Sequence, residues 1–223
     1  MNKINATGVL IRTGRGQYGY AEISVLVRRR GMDDAYINFV LDTVLDPTIT
    51  VNSMVTVEGH MRGYNTRNIE TGKRNVVQYC VATKVTHAER ELHKIFGVEG
   101  HFSPKQEFSM ALKGTVISII NTSERWKRIG LKLEGSREVP DIISVSINKR
   151  NRVPDYDAIR KGDTIVAVAN IFTPVSDKKG KYEDIILEDY KIINRDINDN
   201  SAIDKTVKKN EPESTGDFEE TEE

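Results

Sequence analysis

The chain has 223 residues, and its 33 lysines and arginines are balanced by 33 aspartates and glutamates, so the formal net charge is zero. This length fits one large domain or two small ones. No apolar run approaches the roughly 18–20 residues of a membrane-spanning helix, and the apolar stretch at residues 8–11 is shorter than that of a signal peptide. The single cysteine, Cys80, cannot form an intrachain disulfide. We therefore expect a cytoplasmic, reducing setting and no membrane partner.

The zero total hides an uneven distribution of charge. Residues 210–223 contain seven acidic residues and no basic one, which leaves 26 acids against 33 bases in residues 1–209. As a total, neutrality argues against a nucleic-acid binder. A body with a surplus of +7, joined to a strongly acidic tail, does not.

An internal repeat is the most informative pattern in the chain. The two segments run from about residue 4 to 86 and from about residue 110 to 194, with matched positions 106 to 110 residues apart. Each opens with a β-prone run around a glycine, Gly8 or Gly114, followed by a basic, aromatic turn. Alternation of apolar and polar residues, broken by turn residues, predicts the strands 7–11, 21–27, 35–41, 52–59 and 75–85, and then 113–117, 129–133, 142–147, 162–169 and 182–193.

Five short strands, carried twice, predict an all-β fold of two tandem five-stranded barrels, because closure of a barrel hides the edges that an open sheet exposes. A β-sandwich and a single ten-stranded barrel remain as alternatives. The predicted domains are residues 1–86 and 107–195, each a barrel.

Helix is predicted in two places only. Residues 87–97 place four apolar residues on one face and end in a glycine, which favours a helix within a linker of residues 87–106. Residues 154–162 begin with proline and end with glycine, as a short helix does. Residues 196–223 have almost no large apolar side chains, and we expect them to be disordered.

A five-stranded barrel with a short helix or loop between strands three and four is the oligonucleotide/oligosaccharide-binding (OB) arrangement. The chain resembles OB-fold single-stranded DNA-binding proteins, especially phage- or plasmid-encoded ones with an acidic tail. Bacterial tails of this family typically end in Pro-Phe, whereas the aromatic residue here, Phe218, lies inside the sequence Asp217 to Glu223. The resemblance implies protection of single strands during replication or recombination.

Binding to single strands needs cations for phosphates and flat aromatic side chains on which bases stack. In OB folds the first turn and the hairpin between strands four and five frame the nucleic-acid groove. By this resemblance the candidates in the first segment are Arg12, Arg15, Tyr18, Tyr20, Arg28, Arg62, Tyr64, Arg67, Lys73 and Arg74. A half-buried tyrosine or a solvated arginine turn is the simpler interpretation of each.

The second segment offers the same residue types. Its candidates are Trp126, Lys127, Arg128, Phe172, Lys178 and Lys179. Trp126, the only tryptophan, either stacks on a base or closes one end of a barrel. The first segment, with a net charge of +4 over residues 1–90 against +3 over residues 106–195, carries more aromatic residues beside arginines. We therefore favour it as the main site.

The acidic tail cannot bind DNA, but it can compete for a basic groove or recruit a basic partner. We expect Asp217, Phe218, Glu219 and Glu220 to contact replication or recombination proteins. Simple solubilisation is the alternative.

Enzymatic function is not favoured. The four histidines have no metal-type spacing with cysteine, and no glycine-rich phosphate loop is followed by Lys-Ser or Lys-Thr. We predict no cofactor, metal or catalytic residue. An RNA-binding OB protein and a non-nucleic-acid adaptor remain as alternatives, and the sequence leaves both a monomer and a homo-oligomer open.

Overall fold

The computed structural model describes residues 1–16, 19–29, 33–67, 69, 72, 74–88, 91–95, 98–102, 105–135, 138–148, 156–172, 175–176, 180–181 and 184–195. Its first seven strands are β1 (Asn2–Arg15), β2 (Ala21–Val27), β3 (Ala35–Leu41), β4 (Met54–Arg67), β5 (Arg74–His87), β6 (Glu91–Ile95) and β7 (Val98–Phe102). The later strands are β8 (Glu107–Asn121), β9 (Trp126–Leu133), β10 (Ile142–Asn148), β11 (Thr164–Phe172), β12 (Val175–Ser176), β13 (Gly180–Lys181) and β14 (Asp184–Asn194).

Strands β1 to β5 close a barrel. Alternate residues of β1, beginning with Ile4 and Ala6, are fully buried, as period-two patterning requires of a strand that faces a core on one side. The first half of β1 pairs antiparallel with β4 and its second half with β2, across a bulge between Leu10 and Arg12. Pairing of β2 with β3, β3 with β5 in parallel, and β5 with β4 completes the circuit.

The long strands of the C-terminal half repeat this order of pairings. β8 pairs with β11 and β9, β9 with β10, β10 in parallel with β14, and β14 with β11. The irregularities of the first circuit, after Leu10 and after Glu58, recur after Val116 and after Val168. Equivalent residues are therefore 106 apart in the first strands and 110 apart at β4 and β11.

Antiparallel pairing of β1 with β8 joins the two halves into one ten-stranded sheet. Ile4 lies opposite Met110, its own equivalent in the repeat, so the two halves are related by an approximate two-fold axis at this point. Both glycines that the sequence placed in these strands are required by close packing. A side chain at Gly8 would collide with the carbonyl oxygen of Leu26, and one at Gly114 with that of Lys132.

The predicted helix at residues 87–97 is wrong. β5 continues to His87, and β6 pairs antiparallel with β7 so that Ile95 lies opposite Val98. Residues 96 and 97, the last two of the predicted helix, lie outside the described residues. The apolar spacing that favoured a helix is compatible with both structures over so short a stretch.

Of the predicted helix at residues 154–162, the described part contains one 3₁₀ turn, Tyr156–Ala158. It is the single helical element among the described residues, and none of these residues belongs to a helix long and apolar enough to cross a membrane. The predictions of an all-β fold and of a closed five-stranded barrel are confirmed. The predicted tail, residues 196–223, lies outside the described residues.

Candidate functional site

One continuous row of polar side chains crosses the outer face of the N-terminal barrel. Arg12 on β1 is paired with Ser24 on β2, and Ser24 with Asn38 on β3. Because β3 and β5 run in parallel with Phe39 beside Cys80, Asn38 lies level with Tyr79. Tyr79 is in turn paired with Arg62 on β4. Phe39 and Cys80 are buried in the core, so the row lies on the opposite, outer face of the strands. Within the row Ser24 is only 8% exposed, and an arginine stands at each end.

Two exposed tyrosines flank this row. Tyr20 is 63% exposed and Tyr64 is 43% exposed, which is unusual for side chains of this size. Both lie within electrostatic reach of Tyr79. Burial raises the pKa of the Tyr79 hydroxyl above its ordinary value, and the positive charge of Arg62 partly offsets that rise. Tyr79 is therefore a neutral phenol at physiological pH, and it lies close enough to Arg62, Tyr64 and Tyr20 to interact electrostatically with each of them.

The turn between β1 and β2 presents Tyr20. The Gly16 amide donates a hydrogen bond to the Tyr20 carbonyl oxygen at 2.8 Å, and the Gly19 amide donates one to the Gly16 carbonyl oxygen at 2.9 Å. Gly19 has a positive φ of 79°, which favours glycine. A side chain at Gly16 would collide with the Glu22 carboxylate. Gly16 and Gly19 thus close the turn that presents Tyr20.

Arg62 has two polar neighbours from different halves of the chain. Its Nε donates a hydrogen bond to His60 Nε2 at 2.8 Å, and its Nη1 lies 4.0 Å from Asp141 Oδ2. That Nη1 atom is buried and makes no hydrogen bond. Burial and the Arg62 charge both lower the pKa of His60, which agrees with a neutral imidazole that accepts from Arg62.

A cleft opens between the β4–β5 hairpin and residues 138–141 of the C-terminal half. Its walls are Gly63, Tyr64 and Tyr79 on one side and residues 138–141 on the other. The Gly63 amide donates a hydrogen bond to Asp141 Oδ1 at 3.2 Å, and the Ser144 amide donates one to Gln78 Oε1 at 2.9 Å. Tyr64 and Tyr79 thus line the boundary between the two halves.

Other predicted residues of the N-terminal half lie around the row. Arg15 and Arg67 are exposed at the ends of β1 and β4, and Arg28 is exposed just after β2. Arg74 belongs to β5, opposite Arg67 in the hairpin, but its side chain is not described. Tyr18 and Lys73 lie outside the described residues.

In the C-terminal half the predicted residues divide between two faces of β9. Trp126 and Arg128 alternate with buried Ile129 and Leu131 and so face outward. Lys127 points inward, is 6% exposed, and places its ammonium 3.7 Å from Asp157 in the 3₁₀ turn. Phe172 is half-buried at the end of β11. Lys178, Lys179 and the tail residues Asp217, Phe218, Glu219 and Glu220 lie outside the described residues.

The C-terminal positions equivalent to the polar row carry different chemistry. In strand order they are Ser118, Gly130, Ser144, Asp184 and Phe172. The Asp184 carboxylate accepts hydrogen bonds from Ser146 Oγ at 3.0 and 3.1 Å and lies 3.8 Å from Arg128 Nη2. A carboxylate therefore stands where the N-terminal row has Tyr79, and no arginine stands at either end.

Three residues of this site, Tyr79, His60 and Asp141, were not among those predicted from the sequence. Period-two alternation could have found Tyr79 and His60, because Arg62 and Tyr64 share their outward face of the β4–β5 hairpin. Asp141 comes from the other half, so no local pattern indicates it. Among the described residues, no group of three histidine, cysteine or acidic side chains could hold a metal ion.

The chain matches no protein-family model, and no curated protein matches it. Solved structures do match. The wild-type single-stranded DNA-binding protein from Thermus aquaticus aligns with a TM-score of 0.53 at 12% identity, over 88% of this chain and 94% of that one. A deletion mutant of the same protein aligns with a TM-score of 0.51 at 11% identity, over 90% and 98%. The likeness is one of fold, and the predicted resemblance is confirmed at that level.

Proposed function

We propose that the chain binds single-stranded DNA without strong sequence preference, chiefly through the outer face of the N-terminal barrel. The observation that carries this proposal is the outward row from Arg12 to Arg62, flanked by the exposed rings of Tyr20 and Tyr64. Cations spaced across a sheet and aromatic rings between them are the two elements that such binding needs. The fold shared with single-stranded DNA-binding proteins supports the same conclusion.

In this mechanism the arginines bind the phosphates and the tyrosines stack on the bases. Arg12 and Arg62 stand at opposite ends of the row, with Tyr79 between them. Stacking contributes roughly 1–3 kcal/mol per base and tolerates any sequence because every base has a flat face. Arg15 and Arg67, both exposed, extend the positive surface beyond the row.

The remaining predictions complete the proposal. Two tandem OB domains, residues 1–86 and 107–195, would contribute unequally to DNA binding. Trp126 and Arg128 would form a secondary contact surface. The tail, residues 196–223, would compete for the basic face and recruit replication or recombination proteins through Asp217, Phe218, Glu219 and Glu220. A phage or another mobile element would be the source of the gene.

Fluorescence anisotropy of labelled oligo-dT, measured across a potassium chloride series, tests the proposal. We expect tight binding at low salt that weakens as a straight line in log affinity against log salt. Equal-length RNA and double-stranded DNA are the comparison ligands, and both should bind more weakly. A chain lacking residues 196–223 should bind more tightly, most of all at low salt. Absence of binding by that truncated chain at low salt would contradict the proposal.

A further inference from the structure

Asp141 is a residue of the C-terminal half that reaches into the N-terminal surface. It directly precedes β10, and its side chain is 16% exposed. Its Oδ1 accepts the hydrogen bond from the Gly63 amide, while its Oδ2 faces Arg62 Nη1 at 4.0 Å. One carboxylate oxygen thus fixes the hairpin, and the other presents a negative charge to an arginine of the polar row.

The Arg62–Asp141 pair is attractive but not hydrogen-bonded. Arg62 Nη1 is buried and has no hydrogen-bond partner, and 4.0 Å is beyond the N···O distance of a hydrogen bond. A buried donor without a partner is unfavourable. The Arg62 side chain as a whole is 22% exposed, so a phosphate can approach its guanidinium from the outer face. A phosphate oxygen there would supply both a negative charge and a hydrogen-bond acceptor, whereas Asp141 supplies only the charge.

We infer that Asp141 competes with nucleic-acid phosphate for Arg62 and thereby sets the affinity of the N-terminal surface. The inference rests on the proposed function. When a strand binds, Arg62 exchanges a carboxylate of its own chain for a phosphate, so the gain from that contact is reduced. The remaining negative charge of Asp141, close to Tyr64 and Tyr79 in the same cleft, also repels the strand.

Only the N-terminal surface carries this pair of competing charges. The position equivalent to Arg62 in the C-terminal half is Phe172, and the position equivalent to Asp141 in the N-terminal half is Ala35, which is fully buried. The repeat therefore lacks both charges at the matching place, and the pair belongs to the N-terminal surface alone. The carboxylate that the C-terminal half places against Arg62 is that of Asp141.

Asp141→Asn tests the inference, because asparagine keeps the oxygen that accepts from Gly63 and removes the charge that faces Arg62. We expect affinity for labelled oligo-dT to rise about three- to tenfold at low salt. The salt slope should steepen by up to about 0.7, because in the free variant solution counterions, and no longer Asp141, balance the Arg62 charge and are released on binding. Asp141→Ser, which removes the same charge by another route, should shift affinity in the same direction.

Glu134→Gln is the matched control. Glu134 lies on the same connection between β9 and β10 and is paired with Lys113 at 2.7 Å. Its loss removes one negative charge without touching Arg62, so its effect measures general electrostatics. In an Arg62→Ala background, Asp141→Asn should lose most of its effect, because the contested arginine is gone.

The outcomes separate the inference from the proposed function. If neither the wild type nor any variant binds oligo-dT, the proposed function fails. If the wild type binds but Asp141→Asn behaves like Glu134→Gln, or binds more weakly, the inference is overturned while the proposed function stands. An undiminished gain in the Arg62→Ala background would also overturn it.

Discussion

The two halves of the chain share a circuit of strand pairings but differ in what that circuit carries. In the N-terminal half the outward row begins and ends with arginine and has Tyr79 between them. The equivalent C-terminal row begins with Ser118, ends with Phe172, and has Asp184 in place of the tyrosine. Fold alone therefore does not assign a binding surface, since one order of strand pairings here carries two different charge patterns.

Conservation of backbone irregularities beside divergence of surface chemistry has a physical explanation. The bulges after Leu10 and Val116, and the glycines at positions 8 and 114, are set by how the strands close and pack. Outward side chains touch few neighbours, so they are free to change. Substitutions at outward positions should therefore reveal how the two halves differ in DNA binding.

The largest effect is expected from the exposed tyrosines. Replacing Tyr20 and Tyr64 together with alanine should weaken oligo-dT binding about 30-fold or more, because each ring stacks on one base at roughly 1–3 kcal/mol. Trp126→Ala changes the residue equivalent to Tyr20 in the C-terminal half, which is only a secondary contact in the proposed function. It should weaken binding less than about threefold, below the value for one stacked base. Anisotropy of labelled DNA measures both without relying on tryptophan emission.

Equal losses for the two variants would mean that aromatic residues of both halves stack on the bases. A larger loss of affinity for Trp126→Ala would show that the main DNA-binding surface lies in the C-terminal half, and would contradict the prediction. Thermal melting by circular dichroism should show that the double variant remains folded, since Tyr20 and Tyr64 are exposed. The same measurement reports any loss of stability from replacing Trp126, which is half-buried.

Exchanging residues between equivalent positions of the two rows should change DNA affinity less than the tyrosine substitutions do. Arg12→Ser copies Ser118 and should weaken binding about threefold, with a salt slope shallower by about 0.7, because one phosphate contact is lost. Ser118→Arg copies Arg12 and should restore less than that in the same background, because Asp184 remains in the C-terminal row. The measurement is again affinity across a potassium chloride series. A full gain from Ser118→Arg would show that the two faces are interchangeable.

The all-β fold followed from the sequence because period-two alternation and turn residues act over a few neighbours, and both halves display them. The strands β6 and β7 did not follow, because residues 87–97 are too short for their period to separate helix from strand. Within the candidate site, basic and aromatic residues that lie close together in the sequence were enough to predict Tyr20, Arg62 and Tyr64. Asp141 and Lys127 could not be assigned that way, since their partners, Arg62 and Asp157, come from other strands or turns.

The smallest effect concerns pH and again compares equivalent positions. His60 Nε2 accepts from Arg62, and the equivalent Asn170 accepts from Arg29 Nη1 at 2.8 Å. The pKa of His60 is lowered in the folded chain by burial first and by the Arg62 charge second. The unfolded chain, with an ordinary pKa of about 6.5, therefore binds the proton more readily. The stability that the neutral imidazole contributes is present above about pH 6.5 and is lost as pH falls through the lowered pKa of the folded state.

His60→Asn keeps an acceptor that does not titrate, as the C-terminal half does with Asn170. Urea unfolding between about pH 5.5 and 7.5 should show the wild type losing a few tenths of a kcal/mol more than His60→Asn on acidification, a size limited by the partial exposure of the pair. The difference between the two proteins isolates His60 from the other histidines. If acidification lowers the urea midpoints of the wild type and of His60→Asn by the same amount, protonation of His60 does not disturb Arg62. The outward row then keeps its arginine in place at every pH tested.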